Sequence, residues 1–228
     1  MGKTIGNLKS IITSYIGVLA FASIIFIAGG RLVYWQAILY TVLTILGTSL
    51  NHLLTPKGSA LINERASRVK EGIKWDRVLL GTYFLLTIIT FVVAGLDSGK
   101  FMWSGEVKMN VTVVGVVLML VGQMLFALAK RANMFFFSTL RIESEREHIV
   151  CEAGPYRYIR HPGYLGMIIS IVGFPLVMSS YWSFLPVLAA ASIIVLRTYW
   201  EDSYLKENLK EYDNYVLKTR WRLIPGVF

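Results

Sequence analysis

The chain has 228 residues, 55% of them hydrophobic and only 16% charged, with a formal net charge of +9. A soluble domain carries about 25% charged residues, so this composition points away from a water-surrounded core and toward a membrane bundle. The one cysteine, Cys151, excludes an internal disulfide and a cysteine-built zinc site, and no metal site is expected.

The elements follow from uncharged runs. Lipid cannot satisfy exposed backbone groups, so a spanning helix needs about 20 apolar residues. Residues 10–30, 32–56, 78–96 and 109–129 each lack charge and read as one span. The first run has no convincing small-residue cleavage site and more spans follow it, so no cleavable leader is expected. Residues 162–196 form an uncharged run of 35. As one helix this run would be about 52 Å long, against a hydrocarbon core of about 30 Å. It must bend back, and Met178-Ser179-Ser180-Tyr181-Trp182-Ser183 is the expected turn. The fold class is therefore all-α integral membrane, a six-span bundle with a C-terminal helical hairpin and a cytoplasmic cap. Residues 1–131 supply four plain spans with short loops. Residues 132–228 hold the connector, the hairpin and the cap.

Charge sets the orientation. With an even number of spans and the N-terminus inside, 20 of the 23 basic residues fall on one side, and only Arg31, Lys100 and Lys108 on the other. The positive-inside rule then puts both termini in the cytoplasm. The basic charge is divided among short loops between apolar runs, so it reads as topology and no nucleic-acid partner is expected.

Two segments carry more than topology. The first is Gly154-Pro155-Tyr156-Arg157-Tyr158-Ile159-Arg160-His161-Pro162-Gly163-Tyr164-Leu165-Gly166. Pro162 fits the first turn of a helix, where its missing N–H costs nothing. That helix start offers free N–H groups and a positive dipole end, with small residues for close approach and rings for stacking. Two readings stand: a nucleotide-type cofactor pocket, or an interfacial anchor of tyrosines and arginines. The second segment is Arg197 with Glu201, on one helix face at the end of an apolar run. Ionisable groups there are costly, and an arginine fork suits a carboxylate or phosphate. A snorkelling arginine in a helix salt bridge is the plainer alternative. Glu145-x-x-His148, His52 and Cys151 read as solvated or bystander positions. Gly115 and Gly122 read as helix packing.

These segments together resemble the isoprenylcysteine carboxyl methyltransferases and their prokaryotic relatives. The resemblance is carried by Gly154-Pro155-Tyr156, Arg160-His161-Pro162 and Tyr164-Leu165-Gly166. Arg197, Glu201, Asp202 and Leu205 follow after the hairpin, then Tyr212, Tyr215 and Arg222-Leu223-Ile224-Pro225. It covers about the last 90 residues. Asp202 stands where the family more often has glutamate. The resemblance implies S-adenosyl-L-methionine as cofactor, held at the cytoplasmic end of the last helices. His161, Pro162, Tyr164, Leu165 and Gly166 would line the cofactor, joined by Tyr156, His148 and Tyr212. Arg197 would hold a substrate carboxylate, and Glu201 would position Arg197 and offset the cationic cofactor. The partners implied are the lipid bilayer and a lipidic or prenylated acid, such as an isoprenylcysteine. The motif is also similar to that of phospholipid methyltransferases, whose nucleophile is an amine. Membrane sterol reductases using NADPH share part of it, but Gly163 replaces the asparagine they would carry. A bundle that has lost activity is the non-enzymatic alternative, opposed by the joint presence of His161, Arg197 and Glu201.

Overall fold

The computed structural model describes residues 2–55, 72–136, 139–140 and 149–228, with side chains from Leu8 onward. His148 and Glu145 lie outside the described residues. Among the described residues all regular structure is helical. The helices are α1 (Gly2–Gly29), α2 (Trp35–Leu54), α3 (Lys74–Ala94), α4 (Met109–Ala132), α5 (Pro162–Val177), α6 (Phe184–Asn208) and α7 (Tyr212–Lys218). A π-helical segment, Gly95–Phe101, continues α3, and a 3-10 turn, Gly154–Arg157, precedes α5.

Five of these are long and apolar enough to cross a membrane: Leu8–Gly29, Trp35–Leu54, Lys74–Phe101, Met109–Ala132 and Phe184–Asn208. The chain thus fits an integral membrane protein. The expected hairpin is present, with its turn at residues 178–183 between α5 and α6. Its arms are unequal, however. Helix α5 has 16 residues, about 24 Å at 1.5 Å per residue, so by length it falls short of a full span. Helix α6 has 25 residues and continues past Leu196 to Asn208, because no proline or glycine interrupts its charged second half. The expectation of two short helices therefore holds for the first arm alone.

The closest helix pair is α4 with α5. Four glycines make it possible, meeting in antiparallel register. A Cβ on Gly115 would lie 2.8 Å from the Gly173 carbonyl oxygen, and one on Gly122 2.5 Å from that of Gly166. Without side chains at these points the two backbones touch, which is how helices associate where apolar burial gives no net drive. The short α5 is thereby held along α4. The main apolar core lies among Ile25, Tyr40, Leu43, Phe91, Met119 and Phe174.

The hairpin turn is pinned at its own end of the bundle. Asp97 in the π-helical segment is fully buried and accepts from Ser104 N at 2.8 Å, Ser104 Oγ at 2.5 Å and Ser180 Oγ at 2.6 Å. A buried carboxylate with several donors is a fixed point in the fold. It locks the turn to the end of α3. The opposite ends of α5 and α6 therefore open into the polar half of the chain at a defined position.

Candidate functional site

Helix α5 starts at that polar end. His161 is its N-cap residue and Pro162 its first residue, while the amides of Tyr164 and Leu165 bond the His161 carbonyl. This is the start that a proline at the first turn favours. A stretch of α6 lies beside it, carrying Arg197, Glu201 and Asp202.

Asp202 is the organising group. It is fully buried and accepts from Arg160 Nε at 2.7 Å, Arg160 Nη2 at 3.0 Å, Arg222 Nε at 2.9 Å and Tyr212 Oη at 2.9 Å. His161 Nε2 is 3.4 Å from the same carboxylate. Arg160 in turn donates through Nη1 to the carbonyls of Thr219 and Arg220. The amides of Arg160 and His161 bond the carbonyls of Trp221 and Arg222. The C-terminal segment is thus laced along the entry to α5, forming a cap. A second apolar cluster of Ala129, Tyr156, Leu209, Tyr212 and Tyr215 lies beneath it. Tyr215 Oη donates to the Tyr156 carbonyl at 2.7 Å. Burial raises the pKa of the Tyr156, Tyr212 and Tyr215 phenols above the usual tyrosine range, and for Tyr212 the Asp202 charge adds to it.

Glu201 points to a different set of partners. Its Oε2 accepts from Tyr164 Oη at 2.5 Å, and its Oε1 is 3.9 Å from His161 Nδ1. The His161 and Tyr164 rings are nearly parallel, with centroids 5.6 Å apart. The Arg197 guanidinium lies over the Tyr164 ring, 5.0 Å from its centroid. Arg197 also forks onto Asp76, with Nε to Oδ1 at 2.6 Å and Nη2 to Oδ2 at 3.3 Å. Sequence reading assigned the positioning of Arg197 to Glu201 and gave Asp76 no part. The forked ion pair belongs to Asp76, and Glu201 reaches the same neighbourhood through Tyr164.

These groups border a cavity of about 450 Å³. Its lining includes Tyr156, His161, Tyr164, Arg197, Glu201 and Tyr212, so six of the ten residues given a catalytic or cofactor role in the sequence share one space. Pro162, Leu165 and Gly166 are not in the lining. Gly166 packs on α4, where a Cβ would sit 2.7 Å from both the Gly122 carbonyl and the Phe126 amide. Pro162 starts the helix, and Leu165 follows on its flank. Residues that sequence reasoning passed over also contribute: Asn51 of α2, Leu80 of α3, Phe126 and Lys130 of α4, and Thr139. No spacing signal marks them, because they come from elements distant in the chain. Asn51 Oδ1 and Thr139 Oγ1 are buried with no hydrogen-bond partner among the described residues. Buried polar atoms in a protein interior are nearly always paired, so these two suit a polar ligand in the cavity.

The fold and the cavity together define an α-helical membrane protein with a partly polar pocket at one end of the bundle, beside its C-terminal cap. Comparison with known proteins places the likeness in the half of the chain that builds most of that pocket. Residues 111–212 match the phospholipid methyltransferase family model. The chain is also 31% identical over 116 residues to a "Probable protein-S-isoprenylcysteine O-methyltransferase" of Oryza sativa subsp. indica, and equally to one of subsp. japonica. Each match covers 47% of this chain and 58% of the relative, so the chain spans little more than half the length of the curated relatives it matches. Both findings fit the resemblance to the isoprenylcysteine carboxyl methyltransferases carried by the His161 and Arg197 segments.

Proposed function

We propose that this chain is an integral membrane methyltransferase that uses S-adenosyl-L-methionine to O-methylate the carboxylate of a lipidic acid of the isoprenylcysteine type. The observation that carries the proposal is the meeting of Arg197, Tyr164, His161 and Glu201 on one cavity at the end of an apolar bundle. A cationic fork, an acid and stacked rings are what binding an anionic substrate beside a cationic cofactor requires.

The residues fit the cofactor. A volume of about 450 Å³ lies within the range of small-molecule sites, about 300–1,000 Å³. His161, Tyr164, Tyr156 and Tyr212 would hold it, with Glu201 offsetting its positive charge. Bound there, the cofactor supplies a methyl group already activated on a sulfonium.

The protein's own work is then orientation and exclusion of water. A carboxylate nucleophile is ionised at pH 7 and needs no general base. Arg197 holds the substrate carboxylate and aims it for in-line displacement. Apolar walls such as Phe126 and Leu80 strip water from it. The lipid tail enters between helices, and the soluble cofactor from the side of the cap. Residues 1–131 act as the frame and residues 132–228 as the methyltransferase-like region. The basic ends, including both termini, face the cytoplasm. Helix α5 counts as a sixth, shallow span.

The family match at residues 111–212 favours a second reading, transfer to a phospholipid amine. An amine must lose a proton, which would make Glu201 a base. Calorimetry with S-adenosylhomocysteine and with NADPH tests the proposal at the cofactor. Binding of S-adenosylhomocysteine alone is expected. Binding of NADPH alone would replace the methyltransferase with a reductase.

A further inference from the structure

Asp76 lies outside residues 111–212, the part of the chain matched by the family model. In the sequence it is one of three acids, with Glu64 and Glu71, among the basic residues that precede the third span, and nothing marks it. In the structure it is the third residue of α3 and is completely buried. Its place in the first turn puts the carboxylate at the positive end of the helix dipole. Its Oδ1 accepts from Arg197 Nε at 2.6 Å. Its Oδ2 accepts from Arg197 Nη2 at 3.3 Å and from the Leu140 amide at 2.7 Å. Leu140 and its neighbour Thr139 both line the cavity.

We infer that Asp76 is a positioning residue for Arg197, setting the plane and direction of the guanidinium that meets the substrate carboxylate and tying it to the cavity wall at Leu140. The inference rests on the reading of Arg197 given above. Three features support it. An arginine side chain on a helix has many rotamers, and a carboxylate fork across Nε and Nη2 leaves the guanidinium essentially one plane. The guanidinium also lies over the Tyr164 ring, 5.0 Å from its centroid, so the ring contact adds a second constraint to the fork. The Asp76 carboxylate is itself fixed by the Leu140 amide and by the packing of α3 on α6, where Trp75 and Trp200 meet edge to face at 5.3 Å. A group held this way stays put when substrate arrives, and misplacement by about 1 Å can cost about 100-fold in rate.

A merely structural ion pair would show itself differently, through lost folding and lost cofactor affinity together. The test uses the full-length protein in detergent with Asp76→Asn, Asp76→Ala and Asp76→Glu. Calorimetry with S-adenosylhomocysteine counts the binding-competent molecules. Transfer of labelled methyl to a prenylcysteine acid then gives kcat and KM per competent molecule. Transfer by the wild-type protein is measured first, and its absence on acids and amines alike would sink the methyltransferase reading itself. With an active wild type, Asp76→Asn and Asp76→Ala are expected to lose about 100-fold or more in kcat. Their Kd for S-adenosylhomocysteine should stay within about threefold, and Asp76→Glu should recover at least about a tenth of the rate. A kcat for Asp76→Asn within about threefold of wild type overturns the inference, and so does loss of S-adenosylhomocysteine binding by both Asp76→Asn and Asp76→Ala.

Discussion

Arg160 and Asp202 meet through two parallel hydrogen bonds, Nε to Oδ1 at 2.7 Å and Nη2 to Oδ2 at 3.0 Å, with both side chains buried. The same arginine reaches the Thr219 and Arg220 carbonyls, so one ion pair joins the start of α5, the charged second half of α6 and the C-terminal cap. Removing one partner leaves the other charge buried and unpaired, a loss of about 3–5 kcal/mol. Asp202→Ala should therefore lower the melting temperature in detergent and expose the cap to proteolysis after residue 210. A variant with wild-type melting and an intact cap would show that the tail is held by other contacts.

Gly166 separates packing from ligand binding. A methyl group there would meet backbone atoms of α4 at 2.7 Å. Gly166→Ala should cost about 1–3 kcal/mol through overpacking, and Gly122→Ala, across the same contact, should cost a similar amount. Equal falls in melting temperature would identify the pair as one helix contact. A weakened affinity for S-adenosylhomocysteine with unchanged melting would return Gly166 to the cofactor.

Arg197 and His161 should separate by kinetics. Arg197→Ala should reduce turnover to background while the Kd for S-adenosylhomocysteine stays within a few-fold of wild type. Arg197→Lys should not restore it, because lysine cannot make the fork to Asp76. His161→Ala should weaken S-adenosylhomocysteine binding about tenfold, the loss of one good polar contact. Retained turnover in Arg197→Ala would refute the carboxylate clamp, and an unchanged Kd in His161→Ala would remove that ring from the pocket.

The buried phenols give a pH signature. Tyr156, Tyr212 and Tyr215 all have pKa values raised by burial. The folded state keeps these protons above the pH, about 10, at which unfolded tyrosine releases them. Above that pH the unfolded state binds fewer protons, so stability falls as pH rises. Below about pH 10 this contribution is fully present. Ultraviolet titration of the 12 tyrosines should show a late group ionising only together with loss of helix. Ionisation of all 12 near pH 10 in the folded protein would contradict the burial of these three.

How much of this was legible in the sequence depends on the range of the interaction. The hairpin was, because an uncharged run of 35 residues cannot cross a bilayer once. The serines and aromatics of residues 178–183 marked its turn. Gly115 and Gly122 were readable as packing positions on α4. Gly166 was readable as a point of close approach for a ligand or another helix, but its pairing with Gly122, and that of Gly173 with Gly115, were not, since pairing across two helices leaves no spacing signal. The same holds for Asp76, which meets Arg197 across 121 positions of chain. Continuation of α6 past Leu196 was legible in the i, i+4 pairing of Arg197 with Glu201, but its length to Asn208 was not, because hydropathy ends at Leu196 while helix propensity does not.

The central claim is methyl transfer to a lipidic carboxylate. Its most direct measurement is incubation of the purified protein with methyl-labelled S-adenosylmethionine and a prenylcysteine acid, followed by mild base. The expected result is label in the lipid phase that base releases as volatile methanol, as a methyl ester requires. Label that survives base on an amine, or none above the Arg197→Ala background, would contradict it.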